Sequence, residues 1–539
     1  MRVLVIGLDG GTFDIIKPLA ASGKLPTVGK LMRNGVYADL ISTIPPVTSP
    51  AWPSFMTGKN PGKHGIFDFV GKGRGYSKVI KNARDIRAKT LWRLLSDAGK
   101  TCIVVNVPVT YPPERIRGCV VSGMLTPPGA CYAYPLDIYE ELKKMGYSPH
   151  REGVKKCSSP EKLLNYLVKT ASKQSEAVLY LMDKFNNWDF CMTVFRETDI
   201  IQHIFWQNKE VIFELYQKID KFIHDLIEMA GKETNVILMS DHGFGPVSKF
   251  FHVNYFLYKL GLLKFTENGS SSGDYLIIKD YRKRKTAFWK ALLKIGITKE
   301  RVYRFANKAN LIPILQQISR KISIELPKTK RVIDWKRTKA FFSSSVGPSA
   351  AIEINLQGRE SEGIVKKEEY DEIRELILQE LLRVKDPENG RNIVQDAFRR
   401  EDIYHGPYVS EAPDIIFLTN NLEYGATDRI YGNHLVSEPV RKGRGSHRMN
   451  GIFIAHGPDI KNTGDYLGRS RIIDLAPTIL HMFNLEIPED MDGKVLINIF
   501  KPSSPIAKRP IKYRKITEEE KIKEKIREIR IKLNSRFSS

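Results

Sequence analysis

The chain has 539 residues, 42% of them hydrophobic and 27% charged, an ordinary globular composition that excludes a wholly disordered, collagenous or coiled-coil protein. A chain of this length can bury a large core and has room for roughly two to four domains. Its formal net charge is +24, but the excess is local: residues 279–340 hold 19 Lys/Arg against 4 Asp/Glu, and 508–539 hold 12 against 5. The remainder is close to neutral, so the basicity belongs to attachments.

The first predicted element is a buried strand over Val3–Leu8, ended by Asp9 and two glycines. A signal peptide would need a basic start, a longer apolar run and a small-residue cleavage site. No later stretch approaches the roughly 18 uninterrupted apolar residues of a spanning helix. The expectation is a cytoplasmic protein, peripheral to a membrane at most. A loop rich in Pro, Ser and Thr runs from Ser42 to Pro53, and short apolar runs follow at Thr101–Val107 and Cys119–Ser122. Ser159 as cap with Pro160 behind it predicts a long helix, its apolar stripe running from Leu163 and Leu164 to Leu181 and Met182. Asp189–Phe195 reads as a strand, about 201–230 as a second long helix, and Asn235–Ser240 as a fully buried strand. Strands alternating with helices predict an α/β fold, its mostly parallel central sheet covered by helices on both faces.

From 256 to 340 the sequence turns basic, aromatic-bearing and helix-like. Alternation resumes at Phe341, with apolar runs at Ile352–Leu356, Asp414–Leu418 and Gly451–Ala455 and a helix near 368–384. The simplest organisation is a discontinuous catalytic α/β domain (1–255 and 341–502), a basic helical insertion (256–340) and a basic amphipathic tail (503–539). In the insertion Phe288, Trp289, Leu292, Tyr303 and Phe305 interleave with lysines and arginines. It could pack on the body, act as a lid over an acidic substrate, meet an anionic membrane surface or form a nucleic-acid patch; the first two are favoured and nucleic acid least. In the tail, Thr517 to Glu520 form a capping-box start, and Ile522, Ile526, Ile529 and Leu533 share one helical face. That face could dock on the body, on a second subunit of a homo-oligomer or on a membrane. Cys102, Cys119, Cys131, Cys157 and Cys191 are odd in number and contain no CxxC pair, so free thiols are expected rather than a disulfide framework or zinc ribbon.

Chemistry-bearing residues gather where buried strands stop. Asp9 follows VLVIGL; Asp199 follows FCMTVF after a short RET link, with His203 four residues on; Asp241 and His242 follow NVILMS. In open parallel sheets ligands bind beyond the carboxyl ends of the strands. Asp199 and His203, at i and i+4, lie on one face of a helical turn and can reach one cation. His447 precedes another buried strand. Each alone has a plain reading, as a turn aspartate or a surface histidine; their joint placement at strand ends is what a metal site requires. Carboxylate–imidazole mixtures suit zinc, manganese or iron better than calcium.

The motifs GLDGG, VTSPAW followed by MTGKNPGKHGIFDF, ETDIIQH, SDHGFG and GSHRMNGIFIAHGP resemble, in that order, the alkaline phosphatase superfamily. They are most similar to its type I phosphodiesterase/nucleotide pyrophosphatase branch. The resemblance implies an alkaline phosphatase-like fold and two divalent metal ions, zinc or manganese. One would be held by Asp9, Thr48, Asp241 and His242, the other by Asp199, His203 and His447. It implies Thr48 as nucleophile, with Ser49 the alternative, and a phosphorylated, anionic substrate. A threonine hydroxyl needs metal coordination to ionise, and a second metal polarises the phosphoryl oxygens. Ala51 stands where the family commonly has asparagine. None stands near Phe69, where nucleotide pyrophosphatases carry one that helps hold the phosphoryl oxygen; Asn106 and Lys63 are candidate substitutes. The segment INLQGRESEGIV resembles a subgroup of predicted phosphohydrolases or phosphomutases, and its Arg359 could reach an anionic substrate. The expected activity is metal-dependent phosphoester hydrolysis, as a phosphodiesterase or phosphatase acting through a phospho-threonine. A phosphomutase or phosphotransferase would use the same nucleophile and metals. A binder of anionic surfaces with a structural metal core is the reading from another class.

Overall fold

The computed structural model describes residues 1–157, 159–266, 332–346, 349–428, 434–439 and 443–517. A nine-stranded sheet forms the body. In spatial order its strands are Asp465–Arg471, Val36–Ile41, Asn450–His456, Thr234–Met239, Arg2–Leu8, Phe190–Phe195, Cys102–Val105, Gly118–Val121 and Ala133–Tyr134. Pairing is parallel from Thr234–Met239 through Gly118–Val121, and between Val36–Ile41 and Asp465–Arg471. Asn450–His456 runs antiparallel to both of its neighbours, as does Ala133–Tyr134 to its one.

Alternation along the strands feeds two apolar layers, as a sheet covered on both faces requires. Leu4, Ile6 and Leu8 pack toward the long helices Pro160–Lys184 and Lys209–Ala230. Val3 and Val5 pack on the other face with Trp52 and Phe55 of the Thr48–Thr57 helix and Leu475 and Ile479 of Leu475–Met482. Ser159 caps the first long helix through the Lys162 N–H, as its sequence predicts. The predicted second helix is two: Glu197–Phe205 and Lys209–Ala230. The break at 206–208, where the Gln207 N–H donates to Gly443 O, lets the short first helix point its Asp199/His203 turn at the sheet edge while the second packs on the body.

The strands after 340 correct the simple organisation. Ala340–Val346, Ser349–Ile354, Ile415–Thr419 and Val394–Arg399 do not join the central sheet; they form a separate four-stranded antiparallel sheet. It has its own apolar cluster, shared with the Tyr370–Arg383 helix. Every residue of Ser349–Ile354 and Ile415–Thr419 is buried, so in sequence they are indistinguishable from strands of a doubly covered sheet. Of the described strands after 340, Asn450–His456 and Asp465–Arg471 join the central sheet. The ends of the insertion are tied together by an antiparallel bridge from Phe265 to Ile333. Its interior, the basic aromatic stretch included, and the amphipathic face of the tail lie outside the described residues. Among the described residues no helix is long and apolar enough to cross a membrane, and Cys102, Cys119, Cys131, Cys157 and Cys191 are free.

Candidate active site

Three adjacent parallel strands deliver their next residues to one edge. Leu8 pairs with Phe195 and Gly7 with Met239, so Asp9, the Arg196–Asp199 turn and Asp241–His242 emerge side by side. Hydrogen bonds fasten the turns: the Asp9 N–H donates to Phe195 O (3.0 Å), Thr198 Oγ1 to Asp9 O (2.6 Å) and the Gly10 N–H to Asp241 Oδ1 (3.2 Å). His447 arrives on the strand Gly445–Arg448, opposite Phe244 in an antiparallel pair. Thr48 is the first residue of a ten-residue helix. Its Oγ1 lies 3.4 Å from Asp9 Oδ1 and 3.2 Å from His242 Nε2.

Two donor sets overlap here, Asp9/Asp241/His242 and Asp199/His242/His447. His203 joins the second, its Nε2 3.0 Å from His447 Nε2 and 3.2 Å from Asp199 Oδ1. The His242 and His447 rings stack at 3.8 Å. Thus the residues expected to hold metal are all brought together. In each imidazole Nδ1 faces a backbone carbonyl: His203 that of Gly445, His242 that of Gly243 and His447 that of Pro46. A carbonyl can only accept, so Nδ1 carries a proton, and in the neutral ring Nε2 presents a bare lone pair to the cluster. Those nitrogens face carboxylate oxygens that likewise lack donors: Asp199 Oδ1 and Asp241 Oδ2 are buried without a hydrogen-bond partner among the described residues. Acceptors facing acceptors in a buried site are what a cation satisfies, and the mixed donor set fits a transition metal.

The electrostatics agree. Burial raises the Asp9 carboxyl well above its usual range, with Asp241 and Asp199 adding repulsion. Burial also lifts Asp241 to about 8 and drops His447 to about 3, with His242 contributing. Burial opposes ionisation of Asp199, but His203 and His447 outweigh it and hold its pKa well below the usual value.

The other predicted residues sit elsewhere. Ser49 is fully buried and its Oγ has no hydrogen-bond partner among the described residues. Lys63 Nζ is held by Asp490 O and Asp492 Oδ1. Asn106 spends both amide hydrogens on Gln174 Oε1 and Val194 O, leaving no donor for a ligand. Arg359 grips Asp414 with both terminal nitrogens in the second sheet; only its partner, invisible in sequence, distinguishes this from a ligand site. The TGxxPxxHGI block has a structural task. The Ile66 N–H donates to His64 Nδ1, so Nε2 carries the proton and donates to Ser54 Oγ at 2.9 Å; this pins the block to the Thr48–Thr57 helix. Sequence reasoning missed Arg196, which reads as an ordinary link residue yet sits at the site's edge.

A carboxylate–imidazole cluster at the carboxyl edge of a mostly parallel sheet, with a helix-terminal hydroxyl inside it, defines the alkaline phosphatase-like class. The chain belongs to the type I phosphodiesterase/nucleotide pyrophosphatase family, whose model matches residues 3–451. No curated protein matches it in sequence. Among solved structures it is similar to murine ectonucleotide pyrophosphatase/phosphodiesterase 5, at 14% identity and TM-score 0.52, covering 93% of this chain and 100% of that one. The human counterpart matches at 15% identity and TM-score 0.51, over the same shares. Phosphonoacetate hydrolase from Sinorhizobium meliloti matches at 14% identity and TM-score 0.50, over 88% of this chain and 94% of that one. These likenesses establish the fold. Family membership places the chain among enzymes that hydrolyse phosphoester bonds.

Proposed function

We propose that the protein hydrolyses an organic phosphodiester or pyrophosphate by nucleophilic attack of Thr48, assisted by two divalent ions, zinc or manganese. Asp9, Thr48, Asp241 and His242 would hold one ion, and Asp199, His203 and His447 the other. The observation that carries this is the position of Thr48 Oγ1, between Asp9 Oδ1 and His242 Nε2 at a helix N-terminus. The family match and an AMP complex of an inactive variant of the murine relative support a phosphorylated substrate.

When bound, the ions supply Lewis acidity and offset the clustered carboxylates. The chain's own contribution is orientation. The Thr48–Thr57 helix fixes the hydroxyl, and its amino end favours negative charge at the attacked phosphoryl group. The Thr48 Oγ–P bond forms as the bond from phosphorus to the leaving oxygen breaks. Water then replaces Thr48 on phosphorus and regenerates the hydroxyl. The backbone carbonyls behind the three histidines hold each ring in the tautomer and orientation this site needs.

The test is hydrolysis of bis(p-nitrophenyl) phosphate by zinc- or manganese-loaded protein, with acid quenching and mass spectrometry to locate the p-nitrophenyl phosphoryl group on Thr48. Full activity of Thr48→Ala, or an intermediate on another residue, would overturn the assignment.

A further inference from the structure

Resting on that reading, we infer that Arg196 is the substrate-binding cation of the site, its guanidinium taking the non-bridging oxygens of the phosphoryl group. Arg196 is the residue immediately after Phe190–Phe195, and Phe195 pairs with Leu8. Parallel register therefore sets it beside Asp9, on the strand-to-helix junction that also presents Asp199. It is partly buried, and it makes no side-chain hydrogen bond or ion pair to any described residue.

Its neighbours are committed elsewhere. Arg151 donates to Glu197 Oε1 at 2.8 Å and to Gln174 Oε1 at 3.2 Å. Glu197 Oε1 also accepts from Thr170. The charges acting on Arg196 are Arg151, which opposes its own, and Asp9, Glu197 and Asp199, which favour it. Arg151 takes Glu197 through Oε1 alone, and Glu197 Oε2 is buried with no hydrogen-bond partner among the described residues. Asp9 and Asp199 belong to the metal cluster, where two divalent ions would more than offset Asp9, Asp199 and Asp241 together. In the loaded enzyme the guanidinium groups of Arg151 and Arg196 then share the single carboxylate of Glu197, and an incoming phosphoryl group supplies the missing negative charge. A guanidinium is suited to the task because its planar fork bonds two phosphoryl oxygens at once. The amide hydrogens of Asn106, the other candidate donor, are spent.

The experiment compares metal-loaded wild type, Arg196→Lys and Arg196→Gln, using bis(p-nitrophenyl) phosphate as substrate and inorganic phosphate as competing anion. Metal content and Tm are measured on each protein. The expected result for Arg196→Gln is a kcat/KM about 100-fold lower and phosphate inhibition at least about tenfold weaker. Metal stoichiometry stays unchanged, and added guanidinium partly restores the rate. Arg196→Lys falls between, because it keeps the charge and loses the fork. If Arg196→Gln is insoluble, Arg196→Lys decides alone: wild-type phosphate inhibition with normal metal content overturns the inference. So does a rate loss in either variant that tracks lost metal, since Arg196 would then only balance Asp9 and Asp199. Failure of the underlying reading looks different: wild type itself would hydrolyse no phosphoester.

Discussion

His203 Nε2 and His447 Nε2 stand 3.0 Å apart while both Nδ1 atoms are turned to backbone carbonyls. Two bare lone pairs at that separation repel unless a cation joins them, and the carboxyls of Asp9 and Asp241 repel for the same reason. Metal removal should therefore destabilise the fold with a characteristic pH dependence. In the metal-free fold Asp241 titrates near 8, chiefly through burial, and Asp9 is raised as well. Acids raised on folding contribute stability that is fully present below their unfolded pKa and lost as pH rises through the folded one. The raised pKa of His203, where Asp199 outweighs burial, acts in the same direction. The lowered His242 and His447 are already neutral in both states above about pH 7. Chelated protein should thus lose Tm between about pH 7 and about pH 9 while metal-loaded protein changes little. A gap between the two that is independent of pH would contradict the arrangement.

The two adjacent hydroxyls should separate cleanly. Thr48 Oγ1 touches Asp9 and His242, whereas Ser49 Oγ is buried without a hydrogen-bond partner among the described residues. Thr48→Ala is expected to lower kcat by roughly a thousandfold or more, and Thr48→Ser by no more than about tenfold. Ser49→Ala should stay within about threefold of wild type. Steady-state kinetics on a phosphodiester, with metal content as control, provides the check.

The grouping of the candidate metal ligands was legible because a buried strand ending in Asp or Asp-His announces both its own burial and the edge where it stops. Asp9, Asp199 and Asp241 could be aligned without knowing strand order, since parallel strands share a carboxyl edge. The second sheet was not legible: Ser349–Ile354 is buried on every residue, and apolar periodicity does not say which sheet buries it. Nor was the fate of single polar groups. Whether Asn106 or Arg359 is free depends on partners 68 and 55 residues away, and that is a tertiary fact.

Arg359 offers a test of this distinction. Asp414 is fully buried, and it accepts from Arg359, Tyr370, Arg400 and the Ile354 N–H. These partners hold its pKa down against the burial that would raise it. Arg359→Met removes the largest partner and leaves a buried charge undercompensated, which typically costs about 3–5 kcal/mol. The expected outcome is a lower denaturant midpoint with KM for a phosphodiester unchanged at permissive temperature. A raised KM with unchanged stability would return Arg359 to the list of substrate ligands.

Gly10 links backbone conformation to the metal site. Its φ is +66°, its N–H donates to Asp241 Oδ1, and its carbonyl accepts from Gln202 Nε2. A Cβ there would lie 2.9 Å from Phe244 Cδ2, and the Phe244 ring meets His203 edge-on at 4.8 Å. Gly10→Ala must therefore bear left-handed strain and also push the aromatic that supports His203, a proposed metal ligand. Gly99 makes the control: its φ is +79°, and a Cβ there would meet nothing within 4 Å. Both substitutions should cost about 1–3 kcal/mol through backbone strain, with a larger shift in urea midpoint of metal-free protein for Gly10→Ala, which adds the Phe244 contact. Only Gly10→Ala should weaken zinc or manganese binding, measured by competition with a chelating dye, by about tenfold or more. Equal metal affinity in the two variants would show that Phe244 gives way without disturbing His203.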